Sequence, residues 1–149
     1  MKEKEMRENE EIRILNKLYQ CAEMGVVGIN TVIDSASKEE FRNILNTQKK
    51  EYDKICEEIV EVLKKYGCEE KKIGTMTKMS SEMMSEMKLK LDDSDEKIAK
   101  MMMEGNNKGI IEVTKIKNEY QGNDEELIRL MERFLDTEQH NLDEVKTYL

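Results

Sequence analysis

The absence of proline is the feature that most constrains the fold of this 149-residue chain. Proline makes up about 5% of average sequences, and it breaks helices because it lacks a backbone N–H and clashes with the preceding turn. The chain is also rich in Glu, Lys, Met, Ile and Leu, most of which favour helix. No segment has the alternating pattern of a strand. The sequence therefore predicts long, uninterrupted helices.

Four segments carry apolar residues three and four positions apart, which is the spacing of one helix face. They predict helices over residues 7–34, 38–66, 94–121 and 124–148. Each has about 25 to 29 residues and would span roughly 40 Å. The predicted ends are marked by an N-terminal capping box from Ser37 to Glu40, a stop at Gly67, and the capping sequences DSDE (93–96) and NDEE (123–126).

The connections predict how the four helices are arranged. Links 1–2 and 3–4 are too short for anything but antiparallel hairpins. Residues 67–93 are long enough to cross the whole bundle, and we expect a short helix within them at about 75–91. The sequence thus predicts an all-α, ferritin-like four-helix bundle as a single domain over residues 1–149. One face of the crossover helix would carry Met76, Met79, Met83 and Met87, a flexible surface that suits contact in a homo-oligomer.

Two stretches, LNKLYQCAEMGVVGINTVIDSA and EEFRNILNTQKKEYDKICEEI, resemble the first hairpin of ferritin-like bundles. The spacing L-N-x-L…G-x-x-G is similar to that of an uncharacterised bacterial rubrerythrin-like family, and GNNKGIIEV resembles part of the second hairpin. The resemblance covers nearly the whole chain. It implies a ferritin-like fold, in which a di-iron site takes a Glu from each of two helices and Glu-x-x-His from each of the other two.

The sequence does not supply that ligand set. Helices 2 and 4 share one spacing of core positions, which places their Glu-x-x-His slots at Gln48-x-x-Glu51 and Glu138-x-x-Asn141. Neither slot contains His. The lone-Glu slots of helices 1 and 3 fall at Ala22 and Gly109, with Glu23 and Glu112 on the flanks of the apolar stripes.

The remaining residues predict a polar layer at mid-height of the bundle, made of Gln48, Glu51, Glu138 and Asn141, with Glu23 and Glu112 beside it. The favoured interpretation is a hydrogen-bonded layer that fixes helix register, with no metal or other cofactor. The alternative is a carboxylate-rich site for iron or manganese using Glu23, Gln48, Glu51, Glu112 and Glu138. The methionines would also offer thioethers to Cu(I), although filling apolar gaps is the commoner use.

His140 is the only histidine of the chain. It lies about 200° around the helix from Glu138, so we expect it to face solvent and not the core. One exposed His on a four-helix bundle would also suit a histidine phosphotransfer domain. The context HNLDEV argues against this third alternative, because Asp143 and Glu144 would repel a phosphoryl group.

Composition narrows the classes of function further. The net charge of −8 and the absence of Trp oppose nucleic-acid binding. No apolar run reaches membrane-spanning length, and three cysteines without metal spacing predict a reduced, cytoplasmic protein. The glycine pairs Gly25–Gly28 and Gly105–Gly109 favour close packing of helices 1 and 3, with a void for a ligand as the alternative. We therefore expect a non-enzymatic bundle with a structural, stress-related or interaction role.

Overall fold

The computed structural model describes residues 2–69 and 94–149, and all regular structure within them is helical. The four long helices are α1 (Lys2–Val32), α2 (Glu39–Lys65), α3 (Asp95–Glu119) and α4 (Glu125–Val145), with 3-10 turns at Ile33–Ser35 and Lys146–Tyr148. The prediction of an all-α four-helix bundle is confirmed. α1 begins at Lys2, earlier than the predicted residue 7, because its first turns consist almost entirely of helix-favouring residues.

Contacts at the helix ends define the directions of the helices. The carboxylate of Asp95, at the start of α3, accepts hydrogen bonds from the backbone N–H groups of Ser37 (2.7 Å) and Lys38 (3.2 Å), just before α2. Tyr66 and Tyr120, just after α2 and α3, meet at the opposite end of the bundle. α2 and α3 therefore run parallel, as predicted. The expected helix near 75–91 and its methionine face lie outside the described residues.

Local signals account for most of the helix ends. Ser94 and Asp124 cap α3 and α4 by accepting hydrogen bonds from the N–H groups of Lys97 and Leu127. Gly67 has φ of 71°, and the N–H groups of Gly67 and Cys68 bind carbonyls of the last turn of α2 in a Schellman motif. The predicted capping box at Ser37 is wrong. Lys38 is the N-cap and makes no side-chain capping bond, and Asp95 binds the backbone N–H groups of Ser37 and Lys38 just before the helix.

The core forms where the four apolar stripes meet. Ala22 and Val113 are fully buried at mid-height, and Phe41 stacks on Tyr148 with ring centroids 4.2 Å apart at one end. The largest buried side chains are Tyr52, Phe41, Phe134, Ile14, Leu15, Leu18, Ile29, Leu45, Ile55, Ile59 and Leu63. Most of them occupy the predicted stripes. Each helix thus has one buried face, and a buried polar residue on such a face needs a hydrogen-bond partner from another helix or from its own.

One set of polar residues, here called the end cluster, joins all four helices where α2 and α3 end. It consists of Glu11, Tyr66, Tyr120 and Asp124. The Tyr66 hydroxyl lies 2.8 Å from Asp124 Oδ2 and 3.3 Å from Glu11 Oε1. The Tyr120 hydroxyl donates to the other Glu11 oxygen and accepts from the backbone N–H of Asp124 at 3.1 Å. The end cluster therefore fixes the ends of the helices to one another.

Candidate functional site

A second set of polar residues lies in the middle of the bundle and is here called the central cluster. It consists of Gln48 and Tyr52 from α2, Asn106 from α3, and Glu138 and Asn141 from α4, all of them buried. The Tyr52 hydroxyl donates to Glu138 Oε1 and accepts from Asn106 Nδ2 at 3.2 Å. Three helices are thus joined through one hydroxyl group.

Burial controls the protonation of this cluster. It raises the pKa of Glu138 from 4.5 to about 7, although hydrogen bonds from Tyr52 and Asn106 favour the ionised form. Burial and the Glu138 carboxylate also raise the pKa of Tyr52 well above its usual value of 10. Tyr52 therefore stays protonated as a donor, whereas Glu138 changes charge near neutral pH.

Several atoms of the central cluster lack partners. Gln48 Nε2 donates hydrogen bonds to the backbone carbonyl of Asn141 (3.4 Å) and to Glu144 Oε1 (3.1 Å). Gln48 Oε1, Asn106 Oδ1 and Asn141 Nδ2 are buried and have no hydrogen-bond partner among the described residues. Such atoms are uncommon in folded proteins, and each calls for an explanation.

Two glycines make room for the central cluster. A Cβ atom on Gly25 of α1 would lie 2.6 Å from the Tyr52 ring, and one on Gly109 of α3 would lie 2.5 Å from Glu138 Oε2. Both distances are too short for a real side chain. The small residue at the predicted lone-Glu slot of α3 therefore creates the space into which Glu138 extends from α4.

A cavity of about 290 Å³ lies between α1 and α3, above the central cluster. Its walls include Met24, Met101 and Met102, and its lining includes Tyr52, Asn106 and Glu138 of the central cluster. A Cβ atom added to Gly28 or Gly105 would have no atom within 4 Å, so both glycines face open space. The expectation that the glycine pairs pack α1 closely against α3 is therefore wrong, because all four glycines line the cavity.

The cavity rim carries a charged pair. Lys17 Nζ on α1 lies 2.7 Å from Glu112 Oε1 on α3, and the thiol of Cys21 donates to Glu112 Oε2 at 3.5 Å. Burial and the nearby Glu112 raise the pKa of Cys21 to about 12, which keeps the sulfur protonated. Cys21 is therefore not poised as a nucleophile.

The carboxylates proposed as metal ligands from the sequence do not converge. Glu51 is 40% exposed and pairs with Arg133 (3.5 Å) and Lys54 (3.7 Å), so its predicted place in the polar layer is wrong. The physical reason is that the α2 stripe turns Tyr52 inward and leaves Glu51 beside a surface arginine. Glu112 lies at the cavity rim, and Glu23 is half-buried near Cys56. Gln48 and Glu138 are buried as predicted.

His140 points away from all of these residues. Its side chain is 72% exposed, and its nearest charged partner is Glu144 of the same helix at 3.4 Å. The prediction that His140 faces solvent is confirmed. Glu144 is one of the two carboxylates expected to repel a phosphoryl group.

Comparison with protein families identifies a relationship over most of the chain. A family model described as "Domain of unknown function (DUF2383)" matches residues 10–119. The chain belongs to the DUF2383 family. Neither a curated protein nor a solved structure matches it. The DUF2383 match covers most of α1 and all of α2 and α3, so Tyr52 and Asn106 lie inside it, whereas Glu138 and Asn141 lie beyond it.

Two further findings concern this DUF2383 chain as far as the structure describes it. Within residues 2–69 and 94–149, no group of three or more His, Cys, Asp or Glu side chains is arranged to hold a metal ion. None of the helices there combines the length and apolar character that crossing a membrane requires.

Sequence reasoning missed two residues of the central cluster. Asn106 lies four residues after Met102 and seven before Val113, so it shares their helix face, and this spacing could have revealed it. Tyr52 lies on the apolar spacing of its helix, three residues before Ile55, but the role of its hydroxyl group depends on Glu138, which is 86 residues away along the chain. No local pattern carries that information.

Proposed function

We propose that this protein is a non-catalytic, ferritin-like helical bundle with a structural, stress-related or interaction role, in which the central cluster fixes helix register. Two antiparallel hairpins with parallel α2 and α3 have the connectivity of ferritin-like folds with one long crossover. This topology supports the ferritin-like architecture and the rubrerythrin-like resemblance.

The residues at the corresponding positions do not fit a di-iron centre. Ala22 and Gly109 occupy the slots of the two single glutamates, and both are too small to reach a metal. Gln48 and Asn141 occupy two further slots, and the neutral amides there are weaker ligands than carboxylate or imidazole. Glu138 alone retains the required side chain in the core.

The observation that carries the proposal is the hydrogen-bonded connection of Tyr52, Glu138 and Asn106. It joins α2, α4 and α3 at one level, so sliding any of these helices by one residue would break it. Buried polar groups of this kind can specify a unique register. The other candidate carboxylates already have partners, because Glu51 pairs with Arg133 and Glu112 with Lys17.

The metal content and melting temperature of untagged protein test this proposal. We expect iron and manganese contents no higher than the background of the measurement. Mn²⁺, Fe²⁺ and EDTA should leave the melting curve unchanged. Glu138→Gln should behave like the wild type in its response to metal. Glu51→Gln, which removes a carboxylate from the surface, is the matched control.

The opposite result has a distinct signature. One or two equivalents of bound metal, together with a metal-dependent rise in melting temperature that Glu138→Gln abolishes and Glu51→Gln retains, would establish a metal centre. A register-fixing role for the central cluster would then be wrong.

A further inference from the structure

The cavity between α1 and α3 has the properties of a small binding site. Its volume of about 290 Å³ lies near the lower end of the range for ligand pockets, roughly 300–1,000 Å³. Methionine side chains and the backbone of four glycines form much of its wall. Methionine adapts its shape to different apolar partners, so this wall suits an apolar body without demanding one outline.

The base of the cavity presents hydrogen-bond acceptors without enough donors. Asn106 is only 2% exposed, lines the cavity, and has no partner for its Oδ1 among the described residues. Glu138, which is 4% exposed, lines the same cavity and accepts hydrogen bonds from Tyr52 and Asn106. A ligand that brings N–H donors would satisfy Asn106 Oδ1 and add a further donor to the buried Glu138 carboxylate.

The charges around the cavity favour a cationic donor. Two lysines line the cavity, but Lys17 at the rim is paired with Glu112 at 2.7 Å and Lys108 is exposed to solvent. Within residues 2–69 and 94–149, no ion pair involves Glu138. A buried carboxylate is costly unless a charge or several hydrogen bonds compensate it. An ammonium group supplies three donors and the compensating charge, and hydrogen bonds between ionised groups are the stronger kind.

We propose that the α1–α3 cavity binds a small primary amine with an apolar body, its ammonium group on Glu138 and Asn106 and its body against Met24, Met101 and Met102. The glycines at positions 28 and 105 keep the space open, and those at 25 and 109 seat the Tyr52 ring and the Glu138 carboxylate. This inference goes beyond the proposed function. It explains both the unpaired Asn106 oxygen, which would accept a hydrogen bond from the ammonium group, and the cavity, which would hold the apolar body.

Calorimetric titration at pH 8 with EDTA present tests the inference, using n-hexylamine as the probe. Hexan-1-ol and hexanoate have the same chain length and replace the ammonium group by a neutral and an anionic head. We expect hexylamine to bind and to raise the melting temperature, hexanol to bind at least tenfold more weakly, and hexanoate not to bind. EDTA separates this result from metal binding, which is measured independently.

Two pairs of variants locate the site. Glu138→Gln should weaken hexylamine binding at least tenfold, whereas Glu51→Gln should not change it. Gly28→Leu should fill the cavity and abolish binding, whereas Asn30→Leu, an exposed position in the same helix, should not. Melting curves without ligand establish whether each variant is folded. If Gly28→Leu does not fold, Glu138→Gln still tests the site, because Gln keeps the shape of the Glu side chain.

Three results would overturn the inference. The first is that folded wild-type protein does not bind hexylamine. The second is that hexanol binds as tightly as hexylamine, which would mean that the cavity recognises apolar chains alone. The third is that Glu138→Gln and Glu51→Gln bind hexylamine equally.

Discussion

The end cluster and the central cluster each pair tyrosine hydroxyl groups with carboxylates, yet they differ in how fully their polar groups are paired. In the end cluster two tyrosine hydroxyl groups form hydrogen bonds with Glu11 and Asp124. None of the buried side-chain atoms of these four residues lacks a partner. In the central cluster one tyrosine serves Glu138, and three buried atoms have no partner among the described residues.

The surroundings of the two clusters differ in the same direction. The end cluster lies where helices end, and the partly exposed Tyr66 and Tyr120 can exchange bonds with water. The central cluster lies beneath a cavity and is accommodated by Gly25 and Gly109, where any larger side chain would collide with it. Both clusters connect helices, but the central cluster also has unpaired buried atoms beside a cavity, which is where we propose that a ligand binds.

The largest expected effect is the pH dependence of the free energy of unfolding that Glu138 in the central cluster causes. Burial raises the Glu138 pKa from 4.5 to about 7 in the folded protein, so folding takes up a proton between those values. The contribution of Glu138 to the free energy of unfolding is therefore greatest below about pH 4.5, falls as the pH rises to about 7, and is constant above that. The total loss is about 3 kcal/mol at most.

Glu138→Gln isolates this effect because Gln keeps the side-chain shape and an acceptor for Tyr52. Relative to the wild type, the variant should gain stability between pH 5 and pH 8, by as much as about 3 kcal/mol. Urea unfolding of both proteins at the two pH values gives the difference. If that difference is the same at pH 5 and pH 8, Glu138 does not titrate in the core and the contrast between the clusters weakens.

The next largest effect concerns the glycines of α1. Gly25→Ala should destabilise the protein by about 2 kcal/mol, because its Cβ would displace the Tyr52 ring. Gly28→Ala, three residues along the same helix, faces open space and should stabilise by about 0.5–1 kcal/mol through helix propensity. Denaturant unfolding measures both. Changes of the same sign would mean that Gly25 does not seat Tyr52.

The smallest expected effect compares the tyrosines directly. Tyr52→Phe should cost about 1.5 kcal/mol, because it leaves the buried Glu138 and Asn106 without their shared partner. Tyr120→Phe should cost only about 0.5 kcal/mol, because water can replace its partly exposed hydroxyl group. Both values come from urea unfolding at pH 7. A larger loss for Tyr120→Phe would contradict the register-fixing role that we propose for the Tyr52 hydroxyl.

Much of the fold was predictable because it depends on local patterns. The apolar stripes and the absence of proline defined four long helices, and short links defined two hairpins. Caps at Ser94 and Asp124 and the stop at Gly67 depend on residues within one turn of the helix end. The phase of α4 placed Glu138 in the core and His140 in solvent. Helical periodicity determines each of these features without reference to another helix.

The candidate site was less predictable because its residues come from different helices. Glu51 and Asn141 occupy equivalent slots in the spacing shared by α2 and α4, yet Glu51 pairs with Arg133 at the surface and Asn141 is buried. The sequence could not separate them, since a small rotation of a helix about its axis decides which of two adjacent residues faces the core. The bonds from Asp95 to the backbone N–H groups just before α2 are another contact between distant residues, found where the sequence predicted a local capping box.

The sequence by itself determined the helices, their order and the polar character of the mid-height layer, because these follow from helix propensity and periodicity along one segment. Only the tertiary structure decided that Tyr52 donates to Glu138, that Gly109 leaves space for that carboxylate, and that α1 and α3 enclose a cavity. Hydrogen bonds and cavities depend on distances of a few ångströms between helices. Those distances are set by the packing of all four helices together, and no single segment encodes them.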